Sequence, residues 1–228
     1  MSPRAAIAAA LLAVLAGCGS SPGSRLVEEA YQASVLAPAP EEGAAAAPTM
    51  TREIANSVPW AIIGVRLPGQ EARGYLVASA AGNGNVAYVS AARRGVILRG
   101  DALAGTRGLG VDLVAYRSDD RLDPLVTPRP PADWPEAVTR VYRFRDGEGK
   151  IFSRAFACAP RVVGPAEIEV LERTYRTVEI EEACGNARHR FVNRYWVSPE
   201  TGRARRSLQW MGPEKGSIEI DIVRRFRG

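Results

Sequence analysis

Three cysteines, Cys18, Cys158 and Cys184, are the side chains of this 228-residue sequence whose type and placement carry the most chemistry. Cys18 ends the tetrapeptide Leu15-Ala16-Gly17-Cys18, behind a run of twelve apolar residues (5–16) and the positive charge of Arg4. This is the layout of an export segment, residues 1–17, whose cleavage leaves Cys18 as a lipid-modified N-terminus. Twelve helical residues cover only ~18 Å against a hydrocarbon core of ~30 Å, which argues against a retained span. Each buried acyl CH₂ contributes about 0.8 kcal/mol, and two chains suffice for stable anchoring. Gly19 follows, with no aspartate to retain the protein at an inner membrane. The expectation is the periplasmic face of an outer membrane, with the N-terminal acyl chains as the membrane contact.

Once Cys18 is assigned to lipid, Cys158 and Cys184 form an even pair in an oxidising compartment, which predicts a disulfide. Counting both ends, the bridge closes a loop of 27 residues, worth roughly 3–4 kcal/mol in the chain-entropy model. There is no Cys-x-x-Cys and only one histidine, too few ligands for a standard zinc set without carboxylates. No metal is expected.

The remaining catalytic inventory is thin. His189 lies between Arg188 and Arg190 and reads as a surface residue, with no Gly-x-Ser-x-Gly elbow to accompany it. Gly105-Thr106-Arg107-Gly108-Leu109-Gly110 has its glycines in the wrong order for a dinucleotide loop, and there is no Walker lysine. Glu179, Glu181 and Glu182 raise the possibility of paired carboxylates about 5–9 Å apart across a sugar. In a strand, however, Glu179 and Glu181 alternate with Val178 and Ile180 and face solvent. The expectation is a non-enzyme with no catalytic residues and no cofactor.

The tryptophans Trp60, Trp134, Trp196 and Trp210 suit either a core or a platform for sugar rings. A five-residue turn over 198–202 puts Trp196 and Trp210 on one face of a hairpin, near Arg203, Arg205 and Arg206. These five residues, Trp196, Arg203, Arg205, Arg206 and Trp210, are the candidate glycan or partner patch; a buried core is the competing reading. The formal charge is +5, and residues 188–228 hold ten Arg or Lys against four Asp or Glu. Such a basic region can attract an acidic polymer, a lipid headgroup or an acidic partner, or form a solvated strand face. Nucleic acid is not an expected partner in the periplasm.

These residues need elements to position them. Residues 18–49 read as a lipidated N-terminus, a short helix over 24–33 and an Ala/Pro-rich linker. Residues 50–228 read as a β-rich periplasmic domain. Within it, residues 51–56 suggest one helical turn, and strands are predicted over 60–67, 75–79, 86–90 and 95–99. Glycines punctuate the approach to 112–116, a strand or a helical turn, and 118–135 is an irregular connection. Further strands are predicted over 138–145, 150–158, 168–171, 174–182, 191–197, 204–211 and 217–223. Ile218, Ile220 and Ile222 alternate with Glu219 and Asp221, a period of two with one buried and one wet face. Short turns force antiparallel pairing. The fold class is therefore mainly β: a twisted antiparallel meander curling toward a barrel or sandwich, with one or two short N-terminal helices.

Several segments resemble the YjbF type of outer-membrane lipoprotein, encoded with exopolysaccharide and group 4 capsule genes. They are Ser57-Val58-Pro59-Trp60-Ala61 with Gly64-Val65-Arg66-Leu67, then Thr106-Arg107-Gly108-Leu109-Gly110-Val111-Asp112-Leu113 with Asp123-Pro124-Leu125. The last is Asn193-Arg194-Tyr195-Trp196-Val197, with Gly202 and Ser207-Leu208-Gln209-Trp210. The resemblance implies a β-rich periplasmic domain tethered to the outer membrane beside polysaccharide export components, and supplies no catalytic residues. The reading is a non-enzymatic accessory in exopolysaccharide or capsule production or secretion, contacting the polysaccharide or an outer-membrane secretion protein. The alternatives are a polysaccharide-modifying enzyme using carboxylates and an envelope protein that binds lipid or lipoprotein.

Overall fold

The computed structural model describes residues 49–90, 93–109, 112–146 and 148–227. Cys18, the export segment and the helix expected over 24–33 lie outside the described residues. The meander is present as twelve antiparallel strands in one sheet. They are β1 (Ile62–Arg66), β2 (Gly74–Gly82), β3 (Asn85–Val89), β4 (Gly95–Arg99), β5 (Ala102–Arg107), β6 (Asp112–Arg117), β7 (Val138–Arg145), β8 (Ile151–Glu169), β9 (Thr174–Gly185), β10 (Arg190–Val197), β11 (Ala204–Gly212) and β12 (Gly216–Arg224). Their order is β5-β4-β3-β2-β1-β12-β11-β10-β9-β8-β7-β6. Each strand pairs with its sequence neighbour, except that β1 pairs β12 across the ends of the chain and the β5–β6 seam stays open. The sheet curls into a nearly closed barrel. At the seam the Thr106 hydroxyl accepts from the Leu113 backbone N–H at 2.9 Å and bonds the Asp112 carboxylate at 3.0 Å.

Alternation along the strands fills the interior. Ile218, Ile220 and Ile222 on β12 face Ile63, Val65, Leu76, Leu98 and Leu103 in one core. At the other side of that core Tyr142, Phe144, Phe156, Phe191 and Trp210 pack ring against ring, with Phe191 and Trp210 stacked at 4.2 Å. A smaller cluster lies on the outer face. There α1 (Arg52–Ser57), capped by the Thr51 hydroxyl at 3.2 Å, buries Ala55 against Ile62, Ile168, Val170 and Val223. Arg52 ties the helix down by donating to the carbonyls of Leu171 and Val223 at 2.9 and 3.2 Å.

Three local expectations are revised. Residues 102–107 form a strand, with Gly105 at a close approach: a Cβ there would stand 3.1 Å from Ile97 and 3.3 Å from the Leu113 carbonyl, so a side chain would make these neighbours give way. The strands expected over 150–158 and 168–171 are one, β8, which runs through Pro160 and Pro165. The β7 ladder ends at Val138–Cys158. Beyond it β8 pairs only with β9, and an unpaired edge tolerates proline. Finally, the face of β12 expected to be wet holds a buried Asp221, because Arg206 and Arg73 lie over it at 2.6 and 2.9 Å.

Candidate functional site

Polar side chains gather inside the barrel and at its rim. On β7, Val138, Arg140, Tyr142 and Phe144 share the inner face, which carries a guanidinium into the core. Arg140 donates to Glu182 Oε1 from Nε at 3.1 Å and from Nη2 at 2.7 Å, and to Asp123 Oδ2 from Nη1 at 2.7 Å. It also bonds the Tyr116 hydroxyl, which bonds Asp123. The second oxygen of Glu182 accepts from the Tyr195 hydroxyl and from Asn193 Nδ2, both at 2.9 Å. Asn193 Oδ1 then accepts the Trp210 backbone N–H at 2.9 Å. Arg140, Glu182 and Asp123 are fully buried.

Burial alone would lower the Arg140 pKa, but Glu182, with Tyr116, Tyr195 and Asp123, raises it well above the ordinary arginine value. Burial, aided by Glu182, likewise pushes the Tyr195 phenol well up. These carboxylates are saturated by fixed donors and sealed from solvent, so they cannot meet a polymer. Their arrangement joins β6, β7, β9, β10 and the 118–135 segment at one point. That segment is irregular in backbone but carries Asp123 and Leu125 into the core.

Cys158 and Cys184 are directly opposite on β8 and β9 and are disulfide-bonded, with Cα atoms 4.0 Å apart. Glu182 lies against them, its Oε2 3.6 Å from Cys184 Sγ. This acid–thiol trio has the proximity of a metal site, but the disulfide uses both sulfurs.

The rim has a different construction. β1 stops at Ile62, whose partners are Val77 and Arg224. Ala61, just before β1, still accepts the Ala78 N–H at 2.9 Å. Beyond that bond residues 79–82 of β2 and 225–227 after β12 continue, leaving a notch one strand wide in the barrel wall. With strands about 4.8 Å apart, the two flanks are separated by roughly 10 Å. A recess of about 420 Å³ occupies the notch, lined by Trp60, Ala78–Ala81 and Arg224–Arg227. A second recess of about 280 Å³ opens at the barrel mouth between Asn85, Tyr88, Leu98, Arg203 and Arg225. The two share Ala81, Arg225 and Phe226. Trp60 and Phe226 are 47% and 39% exposed, the large apolar side chains among the alanines and arginines of the rim.

The predicted patch does not assemble. Trp210 lies in the interior aromatic cluster, whereas Trp196 packs on the outer face with Val58, Ile168 and Tyr175. The cause is register: the β10–β11 ladder ends at Arg194–Leu208, and the Trp210 N–H turns to the Asn193 side chain. Arg205 covers the Tyr175 ring at 4.7 Å, and burial lowers its pKa. Arg206 is bound to Asp221 at 2.6 and 2.9 Å. Arg203 alone reaches a recess.

Residues 13–223 match the family model described as group 4 capsule polysaccharide lipoprotein gfcB, YjbF. The chain belongs to this family. Among solved structures, the barrel is similar to the crystal structure of the hypothetical lipoprotein YmcC from Escherichia coli (K12). The TM-score is 0.67 at 16% identity, over 78% of this chain and 90% of that chain; the likeness is one of fold. No curated protein matches the chain.

The segments that carry the family resemblance are mostly buried joints. Asp112 closes its turn by accepting from the Gly108 and Leu109 N–H groups at 3.0 and 3.2 Å. Asn193, Tyr195 and Asp123 surround Arg140. Gln209 accepts from the Leu103 N–H at 2.8 Å and donates to the Asp101 carbonyl at 2.9 Å, bridging β11 to β5. At Gly202, with φ +66°, a Cβ would fall 1.7 Å from the Arg129 carbonyl, so only glycine fits. Trp60 is among the exposed members of these segments and faces the notch.

Sequence reasoning missed Arg140 and the rim. The adjacent pair Glu181-Glu182 carried a signal for the first, since neighbours in a strand face opposite ways and one must enter the core.

Proposed function

We propose that the protein is a non-enzymatic, lipid-anchored accessory in capsule or exopolysaccharide secretion, held at the periplasmic face of the outer membrane by acyl chains on Cys18. The family match carries this reading: it spans residues 13–223 and so takes in Leu15-Ala16-Gly17-Cys18. Two features of the barrel support it. The interior carboxylates Asp123 and Glu182 are locked onto Arg140, and the barrel centre is filled by aromatic rings, which suits a rigid scaffold. The concave surface is instead at the rim, where cationic and aromatic side chains suit contact with polymer or partner.

The test is deletion of the gene with complementation by wild type or Cys18→Ser, reading cell-surface polymer, membrane fraction and the mass of the N-terminal peptide. Wild type restores polymer and yields an acylated peptide starting at Cys18, while Cys18→Ser does neither. Unchanged polymer after deletion, or an unacylated Cys18 in the wild type, overturns the reading.

A further inference from the structure

We propose that the rim cleft is a binding site for an acidic saccharide chain, with Trp60 and Phe226 stacking on sugar rings and Arg203 and Arg227 pairing with sugar carboxylates. The inference rests on the proposed role in polysaccharide secretion and deepens it. The first support is shape: the missing strand beyond Ile62 leaves two adjoining recesses of about 420 and 280 Å³, of the size that holds small ligands. The second is the walls. Ala78, Ala80, Ala81 and Gly82 keep the notch open. The Ala78 N–H is taken by the Ala61 carbonyl at 2.9 Å, and past that bond residues 79–82 of β2 have no β1 residue beside them, so that stretch of edge can bond sugar hydroxyls. The third is charge. Arg224 is committed to carbonyls of α1 and Val58, and Arg225 to Asp101 and the Ala204 carbonyl. Arg203 and Arg227 are exposed and make no ion pair among the described residues. Glu200, the acid nearest Arg203 in sequence, is turned onto the Ser198 hydroxyl at 2.7 Å. A guanidinium binds carboxylate through two parallel hydrogen bonds, and an aromatic face suits the apolar face of a pyranose.

The test titrates the intact chain in detergent with hexagalacturonate, maltohexaose and hexaglutamate, following the tryptophan indole N–H resonances by NMR. Trp60 is assigned by its loss in Trp60→Phe. Hexagalacturonate saturates and moves the Trp60 resonance, binding at least about tenfold tighter than either comparison ligand. Arg203→Glu and Arg227→Glu each weaken it about tenfold or more. Arg188→Glu, the same charge change at the β9–β10 turn on the opposite end of the barrel, leaves it unchanged. No saturable shift at Trp60, equal affinity for hexaglutamate, or an equal loss in Arg188→Glu overturns the proposal. The outcomes separate from those for Cys18. Lost polymer in Cys18→Ser with no saccharide binding sinks this site alone, whereas binding with unchanged polymer after deletion sinks the secretion role and leaves the site.

Discussion

The wall formed by β6–β11 and the notch flanked by β2 and β12 belong to one sheet but solve opposite problems. The first is overdetermined. It holds the Arg140 network, the Cys158–Cys184 disulfide and the five-ring cluster around Trp210, and each of those restraints crosses strands. The second is deliberately sparse: β1 is five residues long, its longer neighbours overrun it, and small residues line the gap. A rigid side lets an open side keep its shape with few contacts of its own. Substitutions should therefore cost stability on one side and little on the other.

The largest loss is expected from Arg140→Met, which leaves Glu182 and Asp123 buried without their cation. Breaking a buried pair this way costs about 3–5 kcal/mol, read as a lowered urea midpoint. Adding Glu182→Gln and Asp123→Asn to Arg140→Met should recover much of it, because the neutral amides no longer need a counter-charge. Failure to recover would mean that Arg140 acts by packing and not by charge. Next comes the disulfide. Cys158→Ser with Cys184→Ser releases a bridge of sequence separation 26, and chain entropy sets the loss at about 3.5 kcal/mol, again by urea denaturation. A much smaller loss would show that the reduced, unfolded chain keeps residual structure between residues 158 and 184, so that the bridge removes less entropy than the model assumes.

The stable side was the more legible in sequence. The alternation Val138, Arg140, Tyr142, Phe144 and the turn at 146–149 gave β7 its bounds, and the β9–β12 hairpins followed from the same period. What the alternation could not reveal is which charged residue has partners inside, since Asp123 reaches Arg140 from an irregular segment 17 residues away. β5 was hidden by Gly105, whose role depends on Leu113 across the seam. The notch was not legible at all. It exists because β1 is shorter than β2 and β12, and the β1–β12 pairing joins residues 62 and 224, a contact that no local pattern encodes. The tryptophan patch failed for a related reason: one departure from ladder pairing at Asn193 and Trp210 sends Trp210 inward.

A third prediction concerns pH and the outer ion cluster that joins β12 to its neighbours. Burial opposes the charge on Glu219, but hydrogen bonds from Arg73 and Arg66 prevail and hold its pKa below the ordinary carboxylate value. A depressed folded pKa gives stability that is present above the unfolded value of about 4.3 and lost as pH falls from there through the folded value. Glu219→Gln should be less stable at neutral pH and show a shallower decline in unfolding free energy between about pH 5 and pH 3. An unchanged slope would assign the acid sensitivity to other carboxylates.

The smallest effect sharpens the comparison most. Arg203→Ala and Arg227→Ala remove exposed side chains with no ion pair among the described residues. Substitutions of this kind stay within about 0.5 kcal/mol, so their urea midpoints should overlay the wild type. The same chemical change at Arg206, bound to Asp221 on one side and the Glu169 carbonyl on the other, strips a buried carboxylate of a partner and should cost about 1–3 kcal/mol. Arg203 and Arg206 are three residues apart on one strand end, with the same composition and local charge. If Arg203→Ala proved as costly as Arg206→Ala, the rim would be part of the scaffold, and the distinction between a side that holds shape and a side that presents side chains would fail.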